Sequence, residues 1–406
     1  MEKRTISYGR QTIEPDDIEA VVKVLGSGWL TQGPAVEEFE RKLAAYTGAE
    51  YAVACSNGTA ALHLACKAAG LGPGDKVLTS PLTFLASANA ALYVGARPDF
   101  VDIDSDTLNI DPSEVEKKVK ASPSVKALIP VHFGGAPCDM EKISRIARER
   151  SLIVIEDACH ALGASWTDSR GAARKVGSCS NSDMTVFSFH PVKSITTGEG
   201  GAVTTNSKKL YERLLSLRSH GVVKHSAGLF KPEGLPWYYE MQDLGFNYRL
   251  TDIQSALGLS QLGKLDRFIS RRAELAALYS RLLSKYPFIK TPSVQPGRES
   301  AWHLYPVRID FAGLGASRKD VFELMSAIGI NLQVHYIPVH LQPYYRGLGF
   351  KPGDFPKAER FYEEEVSLPI YPLLTDEEAG AVVEALLSTL ACASASQPKQ
   401  GKACAI

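Results

Sequence analysis

The chain has 406 residues, of which 45% are hydrophobic and 22% charged, an ordinary globular composition with enough length for a large domain and a smaller one. Its 45 Lys and Arg residues balance 45 Asp and Glu residues, which argues against a general surface for nucleic acids or anionic membranes. No apolar run reaches bilayer length, and residues 1–7 lack the apolar core of a signal peptide, so we expect a cytoplasmic protein with no membrane partner.

The N-terminal half alternates between helical and strand-like patterns. Apolar residues recur at helical spacing in 14–25 and 35–47, and the glycine-rich segment 26–34 between them predicts a loop. The predicted strands and helices that follow are strands 51–55, 76–80, 98–101, 127–131, 152–155, 184–189 and 201–205 and helices 58–69, 84–94 and 140–150. This alternation predicts an α/β fold with a mostly parallel sheet that is covered by helices on both faces.

The C-terminal part has a different pattern. A long helical periodicity over 253–286 predicts a helix that leads to a second domain. The other predicted elements are strands 303–309 and 331–335 and helices 318–328 and 376–389. We therefore predict a large domain over residues 1–255, a linking helix with a small α+β domain over 256–392, and a disordered polar tail over 393–406.

Lys193 lies in a loop between two strand-like runs, among hydroxyl-bearing residues and before the turn Gly198–Gly201. A lysine in a loop is most often a solvated surface charge. The apolar, hydroxyl-rich surroundings instead suit a partly buried amine of lowered pKa. Such an amine can hold an aldehyde cofactor as a Schiff base.

Asp157 directly follows the predicted buried strand 152–155. An aspartate at this position can be a plain helix cap. Ligands of parallel sheets, however, bind at the carboxyl ends of strands, where Asp157 is expected to lie. A carboxylate there can keep the pyridine nitrogen of pyridoxal phosphate (PLP) protonated, so that the ring accepts electrons from a breaking C–H bond. Lys193 and Asp157 together predict a PLP site.

The turn 56–61 joins a predicted strand to a predicted helix and offers a place for the phosphate. Gly58 permits a tight turn, and free N–H groups at the start of the helix can hold a dianion. Such turns also occur as plain connections. Ser188 can add a hydroxyl to the same phosphate, or it can be an ordinary strand residue.

Several other side chains have both a functional and a structural interpretation. Phe84 can stack on the pyridine ring or be a core aromatic. His160 can bond the ring hydroxyl or be a satisfied polar residue. His335, Tyr336 and His340 are spaced superficially like metal ligands, but the intervening proline and the lack of a nearby carboxylate favour substrate contact or packing. We expect no metal site.

Five motifs follow one another along the chain: Leu30–Pro34, Ser56–Ala60, Glu156–His160, Ser188–Lys193 and Gly245–Arg249. Their residues and their order resemble the DegT/DnrJ/EryC1/StrS family of PLP-dependent sugar aminotransferases, from about Ile13 to Leu390. The resemblance implies the aspartate aminotransferase-like PLP fold (type I). It also implies a homodimer with active sites at the subunit interface.

The resemblance implies a role for individual residues. Lys193 matches the Schiff-base lysine and Asp157 the partner of the ring nitrogen. Phe84 matches the position that stacks on the ring, and His160 the position near its hydroxyl. Asn247 matches the position that reaches the phosphate from the partner subunit. The other predicted cofactor-binding residues are Gly58, Thr59, Ala60 and Ser188.

Two details indicate a branch of the family. Lys193 is present where dehydratase-like members have histidine, so transamination is favoured. The motif Phe189–Lys193 with Gly198–Gly201 resembles the branch that aminates C4 of nucleotide-linked 4-keto-6-deoxy sugars, whereas the C3-aminating branch more often has Pro-x-Lys-Asn-Leu and Gly-Asp-Gly-Gly. The expected substrates are a UDP-linked 4-keto sugar and glutamate, which leaves as 2-oxoglutarate. The predicted substrate contacts are Trp29, Thr31, His190, Arg249, His335 and Tyr336.

In this hypothesis the free amine of Lys193 moves the proton between the substrate carbon and the cofactor, as general base and acid. Other functions stay open. A PLP dehydratase or epimerase could share the site, and the substrate could be dTDP-linked or a C3-keto sugar. A non-catalytic sensor of PLP or of a sugar nucleotide is disfavoured because Lys193 and Asp157 are both intact.

Overall fold

The computed structural model of the chain describes residues 5–224 and 235–395. The helices in these residues are α1 (Pro15–Leu25), α2 (Pro34–Thr47), α3 (Gly58–Ala68), α4 (Ala86–Tyr93), α5 (Pro112–Ala121), α6 (Met140–Glu149), α7 (Lys208–Arg218), α8 (Asp252–Leu262), α9 (Leu265–Leu283), α10 (Phe311–Leu314), α11 (Arg318–Ala327), α12 (Pro343–Gly347), α13 (Pro356–Glu364) and α14 (Asp376–Ala395). The strands are β1 (Tyr51–Cys55), β2 (Lys76–Thr79), β3 (Arg97–Phe100), β4 (Val125–Ile129), β5 (Ile153–Asp157), β6 (Ser165–Thr167), β7 (Ala173–Lys175), β8 (Met184–Ser188), β9 (Gly201–Thr205), β10 (Val222–Val223), β11 (Glu240–Met241), β12 (Ile289–Lys290), β13 (Arg298–Glu299), β14 (Tyr305–Ile309) and β15 (Glu365–Leu368). Helices and strands alternate from β1 to β5, as the sequence predicts.

A seven-stranded sheet has the order β1-β9-β8-β5-β4-β2-β3. Its neighbouring strands are parallel except at β9, which is antiparallel to both β1 and β8. Side chains alternate across it, so that Ala52 and Ala54 of β1 join one core cluster and Val53 and Cys55 join another. The first cluster includes residues of α2, α6 and α9, and the second includes residues of α3, α4 and α7. Helices therefore cover both faces, and the predicted α/β fold is confirmed.

Polar caps fix the starts of the helices that carry the ordered motifs. The side chain of Asn57 accepts a hydrogen bond from the Ala60 N–H over 2.8 Å at the start of α3. The carboxylate of Asp252 at the start of α8 accepts from the N–H groups of Gly33 and Ala35 over 2.8 and 2.9 Å. This contact ties the beginning of α2 to α8 and holds the loop before α2 against the body of the protein.

A separate core cluster lies in the C-terminal part of the described chain. It is built on the antiparallel sheet β12-β14-β15 with α11, α14 and the second half of α9. The N-terminal segment joins it, because Ile6 donates to Gly329 and its carbonyl accepts from Asn331. The small antiparallel sheet agrees with the predicted fold class, while the division of the chain at residues 255 and 256 stays a prediction.

Segment 331–335 is not the predicted strand. Within it, Gln333 forms an isolated bridge with Ser367. The backbone N–H of His335 donates to the side chain of Glu365 over 2.9 Å. Because a carboxylate takes the hydrogen bond that a neighbouring strand would take, the segment leaves the sheet at this point.

The predicted long helix over 253–286 is two helices, α8 and α9, with a break at Gly263 and Lys264. Glycine has low helix propensity. The ammonium group of Lys264 also forms ion pairs with Asp16 over 2.6 Å and with Asp17 over 2.8 Å, which fix the break against α1.

Two predicted boundaries also move. Strand β14 begins at Tyr305 rather than at residue 303, since Trp302 has a φ of 47°, outside the β region. The predicted tail over 393–406 begins too early, because α14 continues to Ala395 and Ala393 packs in the core. Residues 396–406 lie outside the described part of the chain.

Among the described residues, no helix has the length and apolar character needed to span a bilayer.

Candidate active site

Three strands of the large sheet end at one edge, and their last residues are Cys55, Asp157 and Ser188. Loops after parallel strands face a common space at this edge. A cavity of about 980 Å³ lies there, a volume typical of small-molecule and cofactor sites. The predicted site residues that line it are Gly58, Thr59, Ala60, Phe84, Asp157, His160, Ser188, His190, Lys193, His335 and Tyr336.

Four predicted site residues do not line this cavity in the single chain: Trp29, Thr31, Asn247 and Arg249. Trp29, Thr31 and Asn247 are exposed, and Arg249 is half-buried. Their roles stay predictions, and that of Asn247 requires a second subunit.

The carboxylate of Asp157 is held by two hydrogen bonds. One oxygen accepts from the Cys159 N–H over 3.1 Å and the other from the Ser87 hydroxyl over 2.6 Å. The Ser87 hydroxyl lies 2.7 Å from that of Thr83. Neither Ser87 nor Thr83 is predicted from the sequence, although two hydroxyls four residues apart at the start of a helix are a usable signal for a polar face.

The amine of Lys193 lies 3.4 Å from Nε2 of His303. Burial lowers the pKa of Lys193 below its ordinary value, and the positive charge of Arg272 acts in the same direction, against Cys159 and Asp157. Burial also holds the pKa of His303 well below its ordinary value. A neutral imidazole therefore faces the amine and can accept a hydrogen bond from it.

His303 is held in place by the buried side chain of Arg272 in α9. The guanidinium donates to the carbonyl of Ile370 over 2.8 Å and, over longer distances, to those of Trp302 and His303. Burial lowers the pKa of Arg272 to about 10. The sequence predicts neither residue, because a lone histidine before a strand and an arginine inside a helix also occur for structural reasons.

Gly58 and Thr59, at the start of α3, line another part of the cavity together with Ser188, and we call these three residues the cradle. The first helical bond of its turn is donated by Ala61, so the N–H groups of Gly58 and Thr59 point out of the helix start. A Cβ atom added at Gly58 would lie 3.0 Å from Cβ of Ser188 and 3.3 Å from Sγ of Cys159. Glycine at this position thus brings the Ser188 hydroxyl close to the helix start.

Aromatic and imidazole side chains form another wall of the cavity. The Tyr336 hydroxyl lies 3.1 Å from Nε2 of His160. The rings of Phe84 and Tyr336 have their centres 6.2 Å apart, and 57% of Phe84 is exposed. Burial, followed by the charge of Lys193, holds the pKa of His160 well below its ordinary value, so His160 is neutral. An exposed aromatic ring at a cavity is available for stacking on a planar ligand.

His340 does not belong to this cavity. Its ring is buried, and Nε2 lies 2.9 Å from a carboxylate oxygen of Glu359. In the described part of the chain, no group of three or more His, Cys, Asp or Glu side chains is arranged to hold a metal ion.

Comparison with known proteins identifies the family. Residues 11–387 match the profile of the DegT/DnrJ/EryC1/StrS aminotransferase family. The chain belongs to this family. It is 42% identical to the spore coat polysaccharide biosynthesis protein SpsC of Bacillus subtilis over 94% of this chain and 96% of SpsC. It is 39% identical to the UDP-4-amino-4,6-dideoxy-N-acetyl-β-L-altrosamine transaminase of Campylobacter jejuni, over 95% and 97% of the two chains.

Solved structures of this aminotransferase family have the same fold. Helicobacter pylori PseC, an aminotransferase involved in pseudaminic acid biosynthesis, superposes with a TM-score of 0.86 at 32% identity, covering 95% of this chain and 99% of PseC. The PLP form of the sugar aminotransferase Spr1654 of Streptococcus pneumoniae has a TM-score of 0.85 at 30% identity, covering 95% of this chain and 99% of that chain. The predicted type I PLP fold, the PLP cofactor and the enzyme class are confirmed at the level of the family.

The residues of the cavity fit PLP. The amine of Lys193 suits an aldehyde, the carboxylate of Asp157 suits a pyridinium, and the cradle of Gly58 and Ser188 suits a phosphate. Glycine at position 58 lets the Ser188 side chain approach the free N–H groups of the helix start, which brings several hydrogen-bond donors together for a phosphate. The assignment of each residue to a part of the cofactor stays a prediction.

Proposed function

We propose that this aminotransferase transfers the amino group of glutamate to C4 of a UDP-linked 4-keto-6-deoxy N-acetylamino hexose. The observation that carries the proposal is the amine of Lys193, which lies in a cavity of about 980 Å³ that also contains Asp157. The substrate class is supported by the motif around Lys193 and by the altrosamine transaminase, which shares 39% identity. SpsC is a similar relative whose name gives no sugar, so a dTDP-linked or C3-keto sugar is the alternative.

Lys193 acts as the carrier of the proton. When bound, PLP supplies an electron sink for the C–H bond of the amino donor. A lowered pKa leaves a larger fraction of Lys193 as the free amine at neutral pH, the form that takes a proton. His303 accepts a hydrogen bond from the amine over 3.4 Å and thereby orients it. Lys193 takes the proton from the substrate carbon as general base and then gives it to the cofactor as general acid.

Asp157 supplies the negative charge for the ring nitrogen. Ser87 and the Cys159 N–H bind its two oxygens and fix the plane of the carboxylate. Preorganised charge of this kind needs no rearrangement during the reaction. The phosphate is assigned to Gly58, Thr59, Ala60 and Ser188, and the ring face to Phe84.

The sugar is assigned to the wall formed by His335 and Tyr336, with His190 at the exposed side of the cavity. Trp29, Thr31, Asn247 and Arg249 are assigned to a shared site in a homodimer. Exposed apolar side chains near Asn247 support a subunit interface there, since Trp237, Met241 and Leu244 are 73%, 64% and 67% exposed in the single chain.

The proposed function is tested with a panel of UDP- and dTDP-linked 4-keto and 3-keto sugars and glutamate, with the position of the new amine read by NMR. We expect turnover with the UDP-linked 4-keto sugars and an amine at C4. Amination at C3, or turnover with dTDP-linked sugars only, would contradict the proposed substrate. Failure of glutamate to convert the cofactor to its amine form would contradict transamination itself.

Replacement of Ser87 by alanine removes one of the two hydrogen bonds of the Asp157 carboxylate. Because one such bond to a charged group contributes about 1.5–3 kcal/mol, we expect kcat/KM to fall by roughly ten- to a hundredfold. The matched control is Ser144→Ala, which removes a buried serine in α6, away from the cavity. Steady-state kinetics of both variants check this, and equal kcat/KM values would show that Ser87 does not support Asp157.

A further inference from the structure

A chain of three polar side chains lies behind the wall of the cavity. The Ser367 hydroxyl donates to Oε1 of Glu365 over 2.6 Å, and the same hydroxyl oxygen lies 2.9 Å from Nδ1 of His335. The other carboxylate oxygen, Oε2, accepts from the backbone N–H of His335 over 2.9 Å. Glu365 and Ser367 are two residues apart on β15, so their side chains lie on the same face of the strand. The carboxylate reaches His335 both directly and through the serine.

This chain is shielded from solvent. Glu365 is 0% exposed, Ser367 1% and His335 5%. Among the described residues, no lysine or arginine forms an ion pair with the Glu365 carboxylate, and Arg318 of α11 donates to the Glu365 carbonyl instead. A buried carboxylate that forms no ion pair depends on its hydrogen bonds, and in the described part of the chain the His335 N–H and the Ser367 hydroxyl donate them.

His335 is a neutral imidazole. Burial, followed by the charge of Lys193, lowers its pKa to about 3. A neutral ring carries one proton, either on Nδ1 or on Nε2. Since Nδ1 faces Ser367 and the ring lines the cavity, the position of this proton decides what Nε2 offers to a ligand.

We propose that Glu365, acting through Ser367, is a positioning residue that decides which ring nitrogen of His335 carries the proton. The Ser367 hydroxyl has one hydrogen. An ionised Glu365 accepts a hydrogen bond from the Ser367 hydroxyl. The Ser367 oxygen then accepts a hydrogen bond from Nδ1–H of His335, and Nε2 carries no proton. A protonated Glu365 donates to Ser367, which then donates to Nδ1, and the His335 proton moves to Nε2.

The consequence for the cavity rests on the proposed function. With Glu365 ionised, the bare Nε2 of His335 accepts a hydrogen bond from a hydroxyl of the keto sugar. Burial raises the pKa of Glu365 to about 8, against the hydrogen bonds from Ser367 and His335. Three charged or titratable groups lie around this carboxylate. They are Arg318 of α11, Arg308 of β14, which is the cross-strand partner of Glu365, and Tyr336 beside His335.

The test uses full-length protein labelled with [15N]histidine, as purified and after removal of the cofactor. The two-bond 15N–1H couplings of an imidazole distinguish its tautomers, and His335→Asn identifies the His335 signals. In buffer alkaline enough to ionise Glu365, we expect the Nδ1–H tautomer in the wild type. In Glu365→Gln, the amide oxygen accepts a hydrogen bond from the backbone N–H of His335, and the amide NH2 donates one to the Ser367 oxygen. We therefore expect the Nε2–H tautomer in this variant at every pH.

The matched control is Glu359→Gln, which neutralises a carboxylate that is bonded to His340 outside the cavity. It should leave the His335 tautomer unchanged. In Ser367→Ala the chain is cut, so adding Glu365→Gln to this variant should not move the His335 proton. A folded Glu365→Gln variant with the wild-type tautomer would overturn the proposal, as would a wild type with the proton on Nε2 in alkaline buffer.

Kinetics separate this inference from the proposed function. In the same alkaline buffer, where Glu365 of the wild type is ionised, loss of one hydrogen bond to the sugar predicts a rise in the KM of the sugar of about three- to tenfold in Glu365→Gln. The half-reaction with glutamate should change by less than about twofold, since glutamate carries no hydroxyl for His335 to bind. If the tautomer changes but the KM for the sugar does not, the proposed hydrogen bond between Nε2 of His335 and the sugar is overturned. If the wild type aminates no 4-keto sugar, the proposed substrate fails, and the tautomer result stands independently.

Discussion

Lys193→Ala is expected to abolish turnover while leaving a folded protein that still binds PLP non-covalently. Proton transfer by a positioned side chain contributes about 10²–10⁴-fold to rate, and this variant also loses the covalent attachment, so we expect kcat to fall by at least about 10⁴-fold. The start of α3, Ser188 and Asp157 are unaffected by the change and retain their contacts. Single-turnover measurements with glutamate and the visible absorbance of the bound cofactor check both parts of this result.

The matched control is Lys175→Ala, which removes a lysine whose ammonium group lies over the ring of Tyr46, 3.6 Å from its centre, outside the cavity. It should retain wild-type kcat. Borohydride reduction followed by mass spectrometry should attach the cofactor to Lys193 in the wild type and in the control, and to no lysine in Lys193→Ala. Appreciable turnover of Lys193→Ala without an added amine would refute the role of Lys193.

The large sheet could be predicted from the sequence because most of its strands are short apolar runs. Strands β5 and β8 are largely buried and end in Asp157 and Ser188, whose polar side chains mark the edge of the sheet where ligands bind. The same logic brings Asp157, Ser188 and the turn at Gly58 together, and the structure places all three around one cavity.

Residues that act through the C-terminal part of the chain could not be predicted in this way. His303 contacts Lys193, Arg272 binds the Ile370 carbonyl, and Glu365 binds His335, all through hydrogen bonds between residues far apart in the sequence, and no local pattern records such contacts. The misassigned segment 331–335 has the same origin: it pairs with β15 only through an isolated bridge at Gln333, and the backbone N–H of His335 then binds the Glu365 side chain. Helices α5 and α7 each bury only two residues, so the apolar stripe that would predict them is short.

Asp157→Asn should isolate the contribution of the negative charge at the ring nitrogen, because the hydrogen bonds around this side chain can adapt to an amide. The amide oxygen can accept from the Cys159 N–H, as one carboxylate oxygen does over 3.1 Å. The amide NH2 can then donate to Ser87, whose hydroxyl turns to Thr83, 2.7 Å away. The fold is therefore expected to persist while the charge is lost.

Removal of one preorganised electrostatic partner of the reacting group costs roughly 10²–10³ in kcat, and we expect a fall of that size in both half-reactions. The control is Asp183→Asn, since Asp183 lies away from the cavity and accepts the Val154 N–H over 2.8 Å, a bond that an amide oxygen retains. A kcat for Asp157→Asn within about threefold of the wild type would show that the ring nitrogen does not depend on this charge. A large loss in kcat with normal cofactor binding would instead place the effect of Asp157 in the transition state, where an electron-accepting ring needs the charge.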